Sequence, residues 1–425
     1  MQTKQASLRK RARRGVRRAL HFLPRQMRSD LYRAMVDCDP APDPRLQIKV
    51  AETQQELEDC FRILHDVYVA NGLMMQTPSG LRVTMYHALP TTTTLCAKYD
   101  GRVVGTLSVI REGVFGFPLQ TAFDVSDVRA KQGQIAEISG LAVHPDFSGA
   151  DDALLFPLMK FAYQYCTDAD IRHLVIAVPP EKIEFYESLL LFERLQDQPV
   201  NFDFVNGAPA LGATLDLTTA RETFRRVYAR SRDRKNLYKY FVQLRLPNIQ
   251  LPKRRYFTTN DPVLTPDALD YFFNRKSQVF AELDERRRAL LWSIYDLPEF
   301  RTMLPALAAS IDVNHAMRRH QRFSLRCPAE LRVRHDGGER AIVMTVIEAS
   351  QFGFQALSRL PIDLGAQGAV RVELGHAEVS DFEAVAVRHH RGDAGDFYGF
   401  RIVQPDASWR GCVDALETGY VARSL

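Results

Sequence analysis

The sequence predicts an α+β protein in which a mixed sheet with flanking helices is followed by a helical extension and a C-terminal antiparallel six-stranded β-barrel. Three stretches carry that prediction. Residues 135–143 (Ile-Ala-Glu-Ile-Ser-Gly-Leu-Ala-Val) are apolar on both faces and are punctuated afterwards by Pro145 and Gly149, as expected of a strand inside a sheet. Residues 94–99 and 102–110 flank Asp100-Gly101, a dipeptide suited to a two-residue type I′ hairpin turn. From Met317 onward, short alternating runs at 323–333, 341–347, 369–374, 382–388 and 397–403 are separated by glycine turns, and a last helix begins near Asp406. That spacing is the pattern of a small barrel.

Length and composition bound the rest. A chain of 425 residues with 46% hydrophobic and 25% charged residues is ordinary for two or three globular domains. No apolar run reaches membrane-spanning length, and the six cysteines are scattered without CxxC or Cys/His spacing, so neither a structural metal nor a disulfide framework is expected. A cytoplasmic protein is the expectation. The net charge of +5 is uneven: residues 1–36 hold eleven Lys/Arg and one acid, a net +10, and residues 37–425 carry −5. The basic surface is confined to that arm, and nothing in the body suggests a specific nucleic-acid site.

In the arm, Leu8, Ala12, Val16, Ala19 and Leu23 recur at helical spacing among arginines. Two readings stand: a peripheral contact with an anionic membrane, or a solvated arm packed on a neighbouring domain. Pro40 to Pro44 stiffens the linker that follows. The expected divisions are residues 1–46 for arm and linker, 47–218 for the first domain, 219–314 for the helical extension and 315–425 for the barrel.

Residues 56–70 read as a helix with Phe61, Leu64, Val67 and Tyr68 on its core face. Met74, Met75 and Met85 in the following loop suit a flexible apolar lid, with simple gap-filling as the alternative. In the extension, Thr265-Pro266-Asp267 reads as an N-cap, a proline at N1 and an early acid, opening a long helix with Leu269, Phe272 and Phe273 in its core. The 135–143 strand carries the chemistry. Glu137 shares a face with Ser139, and a carboxylate in such surroundings must find a partner or raise its pKa. Gly140, inside the strand, signals a bulge or a close approach.

Glu137-x-Ser139-x-x-x-Val143 resembles the strand motif of acyl-homoserine lactone synthases and the related N-acyl amino acid synthases, within the GNAT acyltransferases. Residues 100–107, 184–192 and 205–210 are similar to that family's hairpin and third strand, its tyrosine-bearing helix, and the hairpin before its closing strand, so the resemblance runs over about residues 47–218. It implies a GNAT-like sheet and transfer of a fatty acyl group from an acyl carrier protein or coenzyme A thioester to an amine. Glu137 would then be the base with Ser139 beside it, and Tyr186 the proton donor to the leaving thiolate, with a core tyrosine as the alternative. Val143, Phe147, Ser148, Gly149 and Ala150 would bind the donor. The chain departs from the family's phosphate loop, since Asp146 stands where Arg or Gln is usual and Asp151 and Asp152 follow. This favours a carrier-protein donor, with its single phosphodiester, over coenzyme A. Gly140 replaces the arginine that follows Glu-x-Ser in lactone synthases and argues against a lactone product.

Arg318-Arg319-His320-Gln321-Arg322, followed by Glu348-Ala349-Ser350-Gln351-Phe352-Gly353, resembles the RxxxR and (Asp/Asn)-x-Ser-x-x-Gly pattern of PilZ domains, with Glu348 as the departure. This implies a cyclic di-GMP site built from Arg318, Arg319, Arg322, Glu348, Ser350 and Gly353. The alternative to a regulated enzyme is a non-catalytic sensor on a degenerate acyltransferase fold.

Overall fold

The computed structural model describes residues 24–417 except 114, 132, 254, 259–263, 296–299, 308–322, 336–337, 376 and 393–394. The described residues form two compact units, one within Met1–Ala88 and Thr92–Leu251, the other within Leu89–Thr91 and Pro252–Leu425.

The first unit runs α1 (Arg25–Met35), β1 (Leu46–Val50), α2 (Gln54–Ala70), β2 (Thr92–Tyr99), β3 (Arg102–Arg111), α3 (Ser126–Ala130), β4 (Gln134–Val143), α4 (Asp151–Asp168), β5 (Ile171–Val178), α5 (Pro180–Leu189), β6 (Glu193–Arg194), β7 (Val200–Phe202), β8 (Ala208–Asp216), α6 (Leu217–Tyr228) and β9 (Ile249–Gln250). The sheet order is β6-β8-β5-β4-β3-β2-β1-β9, with β7 paired to β8. The β2–β3 hairpin turns at Asp100 and Gly101, both at positive φ as a type I′ turn requires. α2 begins where the Thr53 side chain accepts the Glu56 N–H at 3.1 Å, and it buries Leu57, Cys60, Phe61, Ile63 and Leu64.

Two irregularities of β4 shape the unit's working face. Its parallel pairing with β5 ends at Glu137↔Val175, although the strands run on to Val143 and Val178. Against β3, Ser108 pairs with Ser139 and Thr106 with Ala142, which leaves Gly140 and Leu141 opposite Leu107 alone. This is a bulge, and Gly140 supplies its left-handed backbone at φ 63°.

The described end of the basic arm packs on the first unit. Arg25 pairs with Glu187 at 2.7 Å and Arg28 with Glu184 at 2.9 Å, and Ser29 meets Ser188, all on α5. Residues 1–23 of the expected membrane contact lie outside the described residues. Among the described residues no helix is long and apolar enough to cross a membrane. Past α6, β9 adds to the sheet in parallel beside β1, and Lys160 from α4 is wholly buried, donating to the carbonyl oxygens of Tyr240 and Leu244.

The second unit has α7 (Pro266–Asp270), α8 (Glu285–Ile294), β10 (Phe323–His335), β11 (Gly338–Ser350), β12 (Gly353–Ser358), β13 (Gln367–Gly375), β14 (Glu378–Gly392), β15 (Gly395–Ile402) and α9 (Ala407–Glu417). Thr265 caps α7 as its sequence predicts, accepting the Ala268 N–H at 3.2 Å. The long helix expected there is instead a short one that widens into a π-type turn at Tyr271–Arg275, with Phe272 and Phe273 both fully buried. The six strands close a barrel in the order β10-β11-β12-β15-β14-β13. β12 is the strand that the run of sequence signals passes over, six residues directly after the Ser350–Gly353 turn. Trp409 of α9 belongs to the barrel's core cluster, with Leu331, Val346, Ala356, Val372 and Ala384.

Candidate active site

Glu137 sits mid-β4, 2% exposed. Its Oε2 accepts the Leu119 N–H at 2.9 Å and it is hydrogen-bonded to the Ser139 side chain. Burial outweighs both bonds and raises its pKa to about 8. Among the described residues no cation pairs with it.

In front of it lies a cleft of about 260 Å3 lined by Leu64, Tyr68, Arg82, Thr84, His87, Ser108, Ile110, Ser139, Gly140 and Phe204. Strand register explains the arrangement: Ile110 is the cross-strand partner of Glu137, Ser108 that of Ser139, and the bulge at Gly140 follows. Glu137 therefore shares the sheet face that carries the cleft without lining it itself, and Ser139, two residues on, links it to the cleft. Tyr68 feels the charge of Glu137, and Tyr186 feels that of Tyr68, so both phenols stand in the same electrostatic neighbourhood. Burial pushes Tyr186 up to about 12, which keeps its proton in place at neutral pH.

The residues expected to bind the donor follow the bulge. Val143 pairs with Gly105, and Phe147 lies 5.5 Å ring to ring from Tyr99 in the 3-10 turn Pro145–Ala150, which runs into α4. The side chains of Ser148, Gly149 and Ala150 lie outside the described residues. Where β4 and β5 part company after Glu137, the backbone of β4 is free of parallel pairing and offers peptide groups to an extended ligand.

Sequence reasoning missed part of this wall. Tyr68, assigned to the core face of its helix, lines the cleft. The loop after α2 contributes Arg82, Thr84 and His87 there and not its methionines, since Met75 is 76% exposed and Met74 touches Arg82 from outside the lining set, sulfur to Nη1 at 3.8 Å. The reason is electrostatic: the pocket needs donors, and a loop without periodicity gives no sign of which side chains turn inward.

In the barrel, Arg318, Arg319 and Arg322 lie outside the described residues. Glu348 pairs in register with Ser324 and Gln355. The Ser350 hydroxyl donates to the Gly353 carbonyl at 3.0 Å, and the indole of Trp409 donates to the Ser350 carbonyl at 3.0 Å. A Cβ on Gly353 would come within 2.7 Å of the Phe400 carbonyl oxygen, so glycine is needed for this close approach. Among the described residues no cluster of three or more His, Cys, Asp or Glu is placed to hold a metal.

Residues 59–216 match the family model of the N-acyl amino acid synthase FeeM. Among solved structures, FeeM, an N-acyl amino acid synthase from uncultured soil microbes, is 22% identical with a TM-score of 0.37, over 42% of this chain and 95% of that one. The acyl-homoserine lactone synthase LasI is 16% identical with a TM-score of 0.32, over 41% and 92%. The lactone synthase BjaI, in a structure with SAM and isopentyl-CoA, is 20% identical with a TM-score of 0.32, over 49% and 92%. The curated proteins contain no match. The stretch that builds this cleft, residues 59–216, is thus similar to the N-acyl amino acid synthase family.

Proposed function

We propose that this protein transfers a fatty acyl group from an acyl-carrier-protein thioester, or the coenzyme A equivalent, to the amino group of an amino acid. The observation that carries this reading is Glu137, buried next to Ser139 beside a cleft at a strand bulge. The acceptor's ammonium gives a proton to the Glu137 carboxylate through the Ser139 hydroxyl or a water, and the amine nitrogen attacks the thioester carbonyl. Backbone N–H groups at the Gly140 bulge stabilise the tetrahedral oxygen. The C–S bond then breaks as the amide forms, the thiolate takes a proton from Tyr186, and the second proton shed by the nitrogen returns, directly or through water, to the Tyr186 phenolate. The pantetheine arm enters where β4 and β5 separate, with Val143, Phe147, Ser148, Gly149 and Ala150 along its path. Asp151 and Asp152 favour a carrier-protein donor, which brings one phosphodiester to this end. Mass spectrometry of lipid extracts from cells producing wild type or Glu137→Gln tests the class: an acylated amine is expected with wild type alone, and identical extracts would reject the reading.

We propose further that the barrel binds cyclic di-GMP and that the nucleotide governs acyl transfer. Support comes from the RxxxR tract before β10 and the Ser350–Gly353 turn that closes β11 on β12. Arg318, Arg319 and Arg322 pair with the phosphates; Glu348, Ser350 and Gly353 form the opposite wall. In calorimetry on the full chain, Arg322→Ala should weaken binding by about ten- to a hundredfold, the effect of one charge-assisted contact. No heat from wild type at about 100 µM nucleotide would leave the barrel a structural or protein-binding module. The membrane contact proposed for the arm rests on residues 1–23, which hold eight of its eleven basic residues.

A further inference from the structure

Arg82 is 8% exposed and lines the cleft. Its guanidinium lies 4.4 Å from the Tyr68 ring and 5.0 Å from the Phe204 ring, and Nη2 donates to the Phe204 carbonyl at 2.7 Å. Its backbone N–H is tied to the Phe61 carbonyl at 3.0 Å. Among the described residues no carboxylate forms an ion pair with it: burial lowers its pKa and the Tyr68 phenol opposes that shift. An unpaired guanidinium withdrawn from water costs several kcal/mol and cannot escape by giving up its proton. The two rings, one carbonyl and the Met74 sulfur, which accepts from Nη1 at 3.8 Å, hold the group in place but leave its positive charge without a counter-ion.

Its neighbours on the wall are also donors. The Thr84 N–H donates to Nδ1 of His87 at 3.1 Å, so the neutral imidazole carries its proton on Nε2. Burial and the nearby Arg82 drive the His87 pKa down to about 3, which keeps the ring neutral. The Thr84 hydroxyl donates to the same Nδ1 at 3.2 Å, which fixes this tautomer and leaves Nε2–H as the donor open to a ligand. The cleft also reaches Ser139 and, hydrogen-bonded to it, Glu137. The same cleft thus offers a cation with a donor and, through Ser139, a carboxyl group, a combination that fits a zwitterion. Half of its lining is polar, Arg82, Thr84, His87, Ser108 and Ser139, which suits a small polar acceptor better than an acyl chain.

We propose that Arg82 selects the acceptor: its guanidinium binds the carboxylate of a free α-amino acid, with His87 Nε2–H as an adjoining donor, and so turns the amino group toward Ser139 and Glu137. This rests on the amine-acylation reading above and adds the acceptor's second anchor. An amine without a carboxylate lacks that anchor and leaves the buried cation unpaired, which makes discrimination steep.

The test uses the purified full chain, lauroyl-acyl carrier protein and lauroyl-coenzyme A as donors, and the protein amino acids with their amides and decarboxylated amines as acceptors, with products quantified by mass spectrometry. Wild type is expected to favour each accepted amino acid over its amide by about ten- to a hundredfold in kcat/KM, mostly through KM, as for loss of one charge-assisted contact. Arg82→Met should collapse that ratio toward one, and Arg82→Lys should restore part of it. Equal use of amino acid and amide by wild type overturns the proposal, as does a ratio that Arg82→Met leaves unchanged. If Arg82→Met fails to fold, the wild-type ratio and Arg82→Lys still decide. Acylation of no amine by wild type overturns the acyl-transfer reading itself and this assignment with it; acylation blind to the carboxylate overturns this assignment alone.

Discussion

The cleft of the first unit and the β11–β12 turn of the barrel treat their polar groups in opposite ways. Glu137 and Arg82, 2% and 8% exposed, are of opposite charge when ionised, yet neither pairs with a charged side chain of the described residues. Ser350 and Gly353 satisfy each other, hydroxyl to carbonyl, and Trp409 satisfies the carbonyl of Ser350. Polar groups that complete each other's hydrogen bonds hold a fold together at little cost. A buried group left ionisable or unpaired costs stability, and the fold tolerates that cost where a substrate completes the set. By this measure the cleft is built for a ligand that brings charge, and the barrel turn is already complete as a piece of structure.

The largest effect expected from breaking the cleft is on catalysis. Glu137→Gln keeps the shape and the Leu119 contact but cannot take a proton, so turnover should fall about 10²–10⁴-fold. With a pKa near 8, wild-type kcat/KM should climb with pH through about 8, and the variant should lose that limb. Undiminished turnover in the variant, or the same acid limb, would remove Glu137 from the proton path.

Stability sharpens the same point with the opposite sign. The folded pKa of Glu137, about 8, is above the ordinary carboxyl value of 4.5, so its contribution is complete below that unfolded value and is lost as pH rises through the folded one. From about pH 6 to about pH 9 the wild type should lose roughly 2–3 kcal/mol relative to Glu137→Gln, which has nothing to ionise. Parallel pH profiles from urea denaturation of the two proteins would mean that Glu137 is better solvated than its burial indicates.

The sequence made the sheet, the barrel and Glu137 with Ser139 legible because each announces itself by period: an apolar run interrupted by a carboxylate, a serine two residues on, a glycine where the backbone must turn left-handed. Tyr68 was visible only as one more apolar position of α2, since helical spacing alone does not separate a face against the sheet from a face against a cleft. Arg82, Thr84 and His87 come from a loop with no period, and only the fold brings them beside Ser108 and Phe204. β12, six residues long, begins at Gly353 inside the Glu348–Gly353 signature itself, so its start carried no separate turn signal. The π-turn at Tyr271–Arg275 replaced a predicted longer helix because Phe272 and Phe273, adjacent in sequence, both reach the core.

In the barrel the expected changes are smaller and concern folding. Gly353→Ala would place a Cβ 2.7 Å from the Phe400 carbonyl oxygen, and relieving that overlap should cost about 1–3 kcal/mol. The chain's two tryptophans, Trp292 and Trp409, both belong to the second unit, so indole fluorescence follows its unfolding. An unchanged midpoint would mean that the turn yields more readily than its geometry implies.

Ser350→Ala should have the least effect, and it bears most directly on whether the barrel turn is finished structure or a waiting site. The substitution removes one hydroxyl–carbonyl bond of 3.0 Å but keeps the Ser350↔Gly353 strand pairing and the Trp409 bond to the backbone carbonyl. A net loss of about 0.5–1.5 kcal/mol follows, again read by indole fluorescence. With its proton already committed to Gly353, the hydroxyl can meet a nucleotide only as an acceptor, through its remaining lone pair. Binding of cyclic di-GMP to the full chain should then fall less for Ser350→Ala than for Arg322→Ala, whose guanidinium donates to phosphate. Nucleotide affinity lost in Ser350→Ala with stability untouched would invert the comparison: the hydroxyl would be held for the ligand, and the barrel turn, like Glu137 and Arg82 in the cleft, would be waiting for a partner.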